Sequence, residues 1–232
     1  MNYMKTTILT VCSAVILNLG LSAQNETIVV KAGTKAMDYF PVSERYRYPQ
    51  FDTGQIVFRS GRTNSLMLNY NTATGEVEFI KSPDTLAIAN SWKKEIRYVV
   101  MQDTFYYDKG YIEIISGGHI KLGLKAYVRF KDILKKGAMG TTARASSVDT
   151  YNSMYSSGNL YKLIPNEDIE LERTNEYYLY TPDAGFTLLL RKNILKLFPD
   201  KDNEIKTYLK SHKVRFFSRD DLIGLTDFLR TL

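Results

Sequence analysis

The chain has few residues that could do acid–base work at neutral pH. Its only imidazoles are His119 and His212. His119 follows Ser116-Gly117-Gly118 at the mouth of a strand pattern, where a general base could sit. His212 lies between bases in KSHK and reads as solvated. The two do not form the H-x-H or H-x-x-x-H spacing that a zinc site would use. No metal and no cofactor is expected. Carboxylates are plentiful: Asp84, Glu95, Asp103, Asp108, Glu113, Glu170 and Glu172. A glycosidase needs two of them facing each other across roughly 5–10 Å. Their places at turns and on the polar side of strands make solvation the simpler account. No G-x-S-x-G elbow and no G-x-x-x-x-G-K-[ST] phosphate loop occurs. The acids of DKDNE, Asp200 to Glu204, lack the glycine and distal glutamate of a calcium loop and read as the polar start of a helix.

What remains are cations and tyrosines. Lys121, Lys125 and Arg129 recur at fours, on one face of a strand. They could meet phosphate groups of an envelope lipid or an acidic partner, or they could guard a sheet edge. There are 17 tyrosines against one tryptophan. Tyr151, Tyr155 and Tyr161 are spaced along a Gly/Ser/Thr/Ala-rich stretch, 135–165, which also has room for a short helix near Val148–Tyr155. With Tyr46 and Tyr48 they could stack on a glycan or a protein surface; they could equally pack that loop onto the sheet. The candidate binding residues are therefore Tyr151, Tyr155, Tyr161, Lys121, Lys125 and Arg129, and no residue is assigned a catalytic role.

The elements that must position these groups are mostly strands. TIVV (27–30) is one. Eight more are expected at Gln55–Arg59, Ser65–Tyr70, Glu76–Ile80, Thr85–Ala89, Glu95–Met101, Thr104–Tyr107, Tyr111–Ile115 and His119–Phe130, each closed by turn residues. In LNYNTATGEVEFI (68–80), Leu66, Leu68 and Tyr70 alternate with polar residues before the bend, and Val77 and Phe79 do so after it. That is a hairpin whose Gly75 is free to take positive φ. Leu122, Leu124, Ala126, Val128 and Phe130 share one face of the next strand, so one face of the sheet is buried and the other wet. A second hairpin turns at TPDAG within 168–190. Beyond it, Ile194, Leu195, Leu197 and Phe198, then Ile205, Tyr208 and Leu209, repeat at helical spacing. Ser218 followed by Asp221 reads as a capping box before Leu222, Leu225, Phe228 and Leu229.

The first residues carry Lys5, an apolar run from Ile8 to about Leu21, and Ser22-Ala23, the layout of a secretory leader cut after Ala23. The sole cysteine, Cys12, lies inside it, so a chain beginning at Gln24 would hold no thiol and no disulfide. Removing the leader takes one unit from a net charge of +6. The remaining charges are interspersed, which argues solubility and against nucleic acid.

The leader ending in LSAQ, the LNYN-x-x-x-G hairpin, DTLAIAN, and the tail KLFPDKDNEIKTYLKSHKVRFFSRDDLIGLTDFL resemble exported proteins of Bacteroidota that carry no established activity. The resemblance implies an envelope location in a two-membrane bacterium and transfers no catalytic residue.

The resulting organisation is a leader (1–23), an extended arm (24–51), an antiparallel β domain (52–190) with a long loop at 135–165, and a C-terminal helical appendage (191–232). The fold class is mainly β (α+β), an antiparallel meander, strongly curved or barrel-like. The expected role is non-catalytic: a binding or assembly-accessory module whose partner is an envelope protein or glycan, in the periplasm or associated with the outer membrane. The alternatives are a small-molecule or lipid carrier, with a cavity lined by Leu122, Leu124, Val128 and Phe79, and an enzyme of unrecognised type.

Overall fold

The computed structural model describes residues 26–136, 142–145 and 160–232. The expected leader, the helix near 148–155, Tyr151 and Tyr155 lie outside the described residues.

Twelve strands form one antiparallel sheet: β1 (Thr27–Val30), β2 (Asp52–Phe58), β3 (Thr63–Asn71), β4 (Glu76–Lys81), β5 (Asp84–Ala87), β6 (Ile96–Val100), β7 (Thr104–Tyr107), β8 (Tyr111–Ser116), β9 (Lys121–Lys136), β10 (Thr142–Ala145), β11 (Asp168–Thr181) and β12 (Gly185–Leu188). The order is β1-β11-β9-β8-β7-β6-β2-β3-β4-β5, with β10 added to β9 and β12 to β11. The sheet is open, ending at β1 and β5. Two meanders, β2 to β5 and β6 to β9, are joined through the β2–β6 pair. Single helical turns, α1 (Val42–Arg45) and α2 (Asn90–Lys93), interrupt the strands; α3 (Arg191–Leu197), α4 (Asp202–Ser211) and α5 (Arg219–Leu229) follow them. Among the described residues no helix is long and apolar enough to cross a membrane.

The expected hairpin β3–β4 forms, with Tyr70 opposite Val77 and Leu68 opposite Phe79. Asn71 Oδ1 accepts from the amides of Ala73 (3.0 Å) and Thr74 (3.1 Å), and Gly75 takes φ +72°. The side chain of Asn71 thus holds the bend that the glycine permits. The tip then reaches β9: Val128 N donates to Ala73 O at 3.1 Å, and Tyr70 Oη donates to Ala126 O at 2.6 Å. Four strands, β8, β7, β6 and β2, separate β9 from β3 in the sheet order.

One face of β9 serves three apolar clusters. Leu122 and Leu124 lie under the helices, Ala126 borders the cluster around Tyr70 and Phe105, and Val128 and Phe130 join Val30, Phe40 and Leu171. A bulge opposite Glu170/Leu171 inserts one residue into β9, so Ile133 rather than Asp132 continues the apolar face. The helices bury the stripe read from their spacing: Ile194, Ile205, Leu222, Leu225 and Leu229 are at most 1% exposed, each worth roughly 1.5–3 kcal/mol. Arg230 fastens α5 to the sheet through Ile120 O (2.9 Å) and Ser116 Oγ (2.8 Å). The capping box is half formed. Ser218 Oγ accepts from Asp221 N, but the Asp221 carboxylate turns to Arg215, taking its backbone N–H (2.9 Å) and Nε (2.8 Å). Those donors hold the Asp221 carboxyl below the ordinary carboxylate range.

The stretch expected as a loop from 135 begins as sheet. β9 continues to Lys136 and β10 pairs back on it, Thr142 opposite Lys136. The arm also gains a partner. The Asn69 amide donates to Tyr48 O (2.9 Å) and Gln50 O (3.1 Å), and its Oδ1 accepts from Tyr48 N (3.2 Å). Beside the backbone bond from Arg47 N to Tyr70 O (2.8 Å), the Asn69 side chain thus serves Tyr48 and Gln50 as a ladder strand would.

Candidate functional site

The sequence expectation for the acids needs correction. Asp84, Glu95 and Asp108 are exposed, but Glu76, Glu78, Glu113, Glu170 and Glu172 are buried. Alternation assigns a residue to a face; it does not tell whether other chain segments cover that face. Here the arm and the segment after 160 cover it. Arg47 from the arm grips Glu113 bidentately, Nε to Oε2 and Nη2 to Oε1, both 2.9 Å. Lys93 Nζ stands 2.6 Å from Glu76 Oε2 as a buried ion pair, without hydrogen-bond alignment. Glu78 has no cation partner among the described residues. Three neutral donors surround it: Tyr46 Oη (2.7 Å), Tyr161 Oη (2.9 Å) and Asn71 Nδ2 (3.0 Å). Burial, and then the neighbouring Glu78 carboxylate, raise both phenols above the usual tyrosine value. This is a clasp in which every hydroxyl is used, not an acid awaiting a substrate.

Tyr161 and Tyr46 do converge, but through these hydroxyls; their meeting point is the Glu78 carboxylate. The alternative reading of tyrosine as packing peg describes this pair. His119 and His212 are both exposed, and His212 is stacked on Tyr208 with ring centres 4.0 Å apart. Among the described residues no group of three His, Asp or Glu could hold a metal ion. The cavity posited for a carrier does not form as drawn. Leu122 and Leu124 sit beneath the helices, Val128 belongs to a different cluster, and Phe79 to a third.

A different constellation emerges on the opposite face of the sheet. Tyr98 on β6 lies across from Tyr106 on β7, ring centres 5.7 Å apart. Tyr106 meets Phe186 on β12 at 5.7 Å, and Phe186 meets Tyr180 on β11 at 5.1 Å. Each ring is half-buried, and none belongs to the three apolar clusters. Phe186 can lie inward because β9 has Gly123 beneath it. A Cβ there would stand 3.4 Å from Phe186 Cε1 and 2.4 Å from Ile112 Cγ2. The row thus joins rings from β6, β7, β12 and β11 in steps of 5.1–5.7 Å.

Cations bracket it. Lys121, directly opposite Tyr180 in register, places Nζ 4.7 Å from that ring and bonds Gly118 O. Arg97 covers Tyr98 at 5.9 Å. Lys125 lies over Tyr127 at 5.0 Å and bonds Lys109 O, fitting against Gly110, where a Cβ would come within 2.6 Å of it. Among the described residues none of these three cations is ion-paired. Arg129 differs, since it pairs with Glu172 across the strands, Nε to Oε2 at 2.7 Å. Glu176 accepts from both Tyr127 and Tyr178, each at 2.9 Å, and fixes the second row of rings. Of the residues singled out from sequence, the fold therefore brings Lys121 and Lys125 to one aromatic face and neutralises Arg129 nearby. Tyr161 sits apart, at the clasp. Tyr98, Tyr106, Tyr180 and Phe186 were not singled out; the available signal was their outward phase in period-two strands.

Comparison with known proteins finds no family model that matches the chain, and no similar curated protein or solved structure.

Proposed function

We propose that the protein is a non-catalytic, exported envelope module that binds an anionic glycan chain along the outer aromatic row. The observation that carries this reading is the line Arg97, Tyr98, Tyr106, Phe186, Tyr180, Lys121. Ring faces 5.1–5.7 Å apart suit the apolar faces of successive sugar rings, and cations at both ends, without an ion-pair partner among the described residues, suit carboxylate or phosphate substituents. The leader-like first residues and the Bacteroidota-like motifs place it, on this reading, in the periplasm or at the outer membrane. We read the sheet as strongly curved, supported by the Val128–Ala73 hydrogen bond, which joins β9 to the β3–β4 turn across the four strands between them. On that reading the row would lie on the outer, convex face.

Binding of an acidic polysaccharide, polygalacturonate, against neutral dextran tests it by calorimetry. Polygalacturonate should bind and dextran only weakly. Replacing Tyr106 and Tyr180 together by Ala should weaken binding about tenfold or more, with the melting temperature little changed. Lys121→Ala should lower affinity for the acidic chain and steepen no further with salt. Failure of either glycan to bind, or binding that ignores the double substitution, overturns the reading and leaves an envelope protein as the partner to seek.

A further inference from the structure

A second site lies away from the aromatic row, where the cluster around Tyr70 opens to solvent between β2, β3, β4 and α2. Phe58, Leu66, Phe79, Ile88 and Trp92 line an apolar recess of about 180 Å³. Phe58 and Ile88 are buried in the cluster, Leu66 and Phe79 pack against it, and Trp92 stands at the mouth, 44% exposed. Trp92 meets Phe58 edge to face at 5.7 Å. The Arg62 guanidinium rides over both rings, 4.5 Å from the centre of Phe58 and 5.0 Å from that of Trp92. Among the described residues Arg62 has no ion-pair partner. A planar, charged donor set that is unused among the described residues thus sits beside a mostly apolar space whose one polar lining residue is Asn64.

We propose that this recess binds one amphiphilic anion, with an alkyl tail among Phe58, Leu66, Phe79 and Ile88 and its carboxylate on Arg62. Size sets the class. A dry cavity of about 150 Å³ lined by aliphatic and aromatic groups holds benzene, so this recess accommodates a medium-length acyl tail, and not a whole phospholipid. Chemistry sets the head group. Cation–π contact with both rings preorganises the guanidinium before the ligand arrives, and its N–H groups, which make no hydrogen bond among the described residues, are available for bidentate contact with a carboxylate. A neutral ligand would leave that edge unpaired, so the charge is part of the recognition. This inference does not rest on the glycan reading; it uses different residues, and either can fail alone.

Trp92 is the only tryptophan, so its emission reports this site without ambiguity. Titration of the whole protein with octanoate should change Trp92 emission saturably. Octanol, with the same tail and no charge, should bind about tenfold more weakly, and acetate should produce no change. Arg62→Gln, at an exposed position, should reduce octanoate affinity about tenfold and leave octanol where it was. Ala89→Phe, which fills the recess from its wall, should abolish both responses; if that variant does not fold, Arg62→Gln still decides. A silent Trp92 together with no heat of binding at millimolar octanoate overturns the proposal. So does equal binding of octanol and octanoate that Arg62→Gln leaves unchanged.

Discussion

Gly123→Ala is a single-methyl change whose effect follows from two opposing terms. Replacing glycine within a strand narrows the unfolded ensemble, which alone would stabilise by about 0.4–1 kcal/mol. Against this, the new Cβ would stand 2.4 Å from Ile112 Cγ2, closer than Cβ atoms sit to any neighbour. Ile112 is fully buried and β-branched, so its methyl has little freedom to turn away. Overpacking of that kind costs about 1–3 kcal/mol. The steric term wins, and a net loss of about 1–2 kcal/mol is expected. With a urea slope of roughly 2 kcal/mol/M, the midpoint should fall by about 0.5–1 M, read from Trp92 emission. Two further variants isolate the cause. Gly117→Ala, where a Cβ meets nothing within 4 Å, should stay within about 0.5 kcal/mol of the parent. In an Ile112→Ala background the clash is gone, so Gly123→Ala should cost almost nothing there. The cycle should then give a coupling of about 1–2 kcal/mol. If Gly123→Ala costs as much without the Ile112 side chain as with it, the assignment of this contact as the reason for the glycine is wrong.

Tyr70→Phe keeps the ring against Phe105 but leaves the Ala126 carbonyl without its 2.6 Å donor; a loss of about 1–2 kcal/mol is expected in chemical denaturation, and no loss would mean the hydroxyl is not what joins hairpin to β9. Arg47→Ala strands the Glu113 carboxylate, whose side chain is 3% exposed, while Arg47 itself is 35% exposed. The cost should be about 2–4 kcal/mol, and most of it should return in the double variant Arg47→Met, Glu113→Gln. Burial raises Tyr70, Tyr111 and Tyr46 above their ordinary value of 10. Their stabilisation is therefore complete below pH 10 and lost as pH rises beyond it, because only the unfolded chain ionises there. Phenolate absorbance and circular dichroism followed together should show those tyrosines ionising with unfolding; ionisation near 10 in an intact fold contradicts their burial.

Much of the sheet was legible because strand and turn chemistry agreed locally. Thr27–Val30 and Thr104–Tyr107 appear at the expected residues, and the hairpin at Gly75 needed only period two and one permissive glycine. The extension of β9 to Lys136 was not legible, since pairing with β11 as far as Leu134 and with β10 beyond it sustains the strand, and not any pattern of its own. Burial of Glu78 and Glu113 was hidden for another reason. Their partners, Tyr161 and Arg47, lie 83 and 66 residues away, and charge alternation looks the same whether a face meets water or another segment. The aromatic row is assembled from four strands, so only Lys121 and Lys125, which recur within one strand, announced themselves.

The position of β1 has a consequence for the order in which the chain can assemble. Among the described residues its strand partner is β11, with Thr27 opposite Glu172. This strand therefore waits until nearly the whole described sheet has been synthesised before its amides find acceptors. The entropic cost of so wide a closure grows only slowly with length, but non-local pairing of this kind slows the rate of folding. Pulse-labelling hydrogen exchange should find the amides of Thr27–Val30 among the last to be protected, after those of the β6–β9 meander. Until then an apolar edge stays open, a time window in which a nascent chain is best kept from its neighbours.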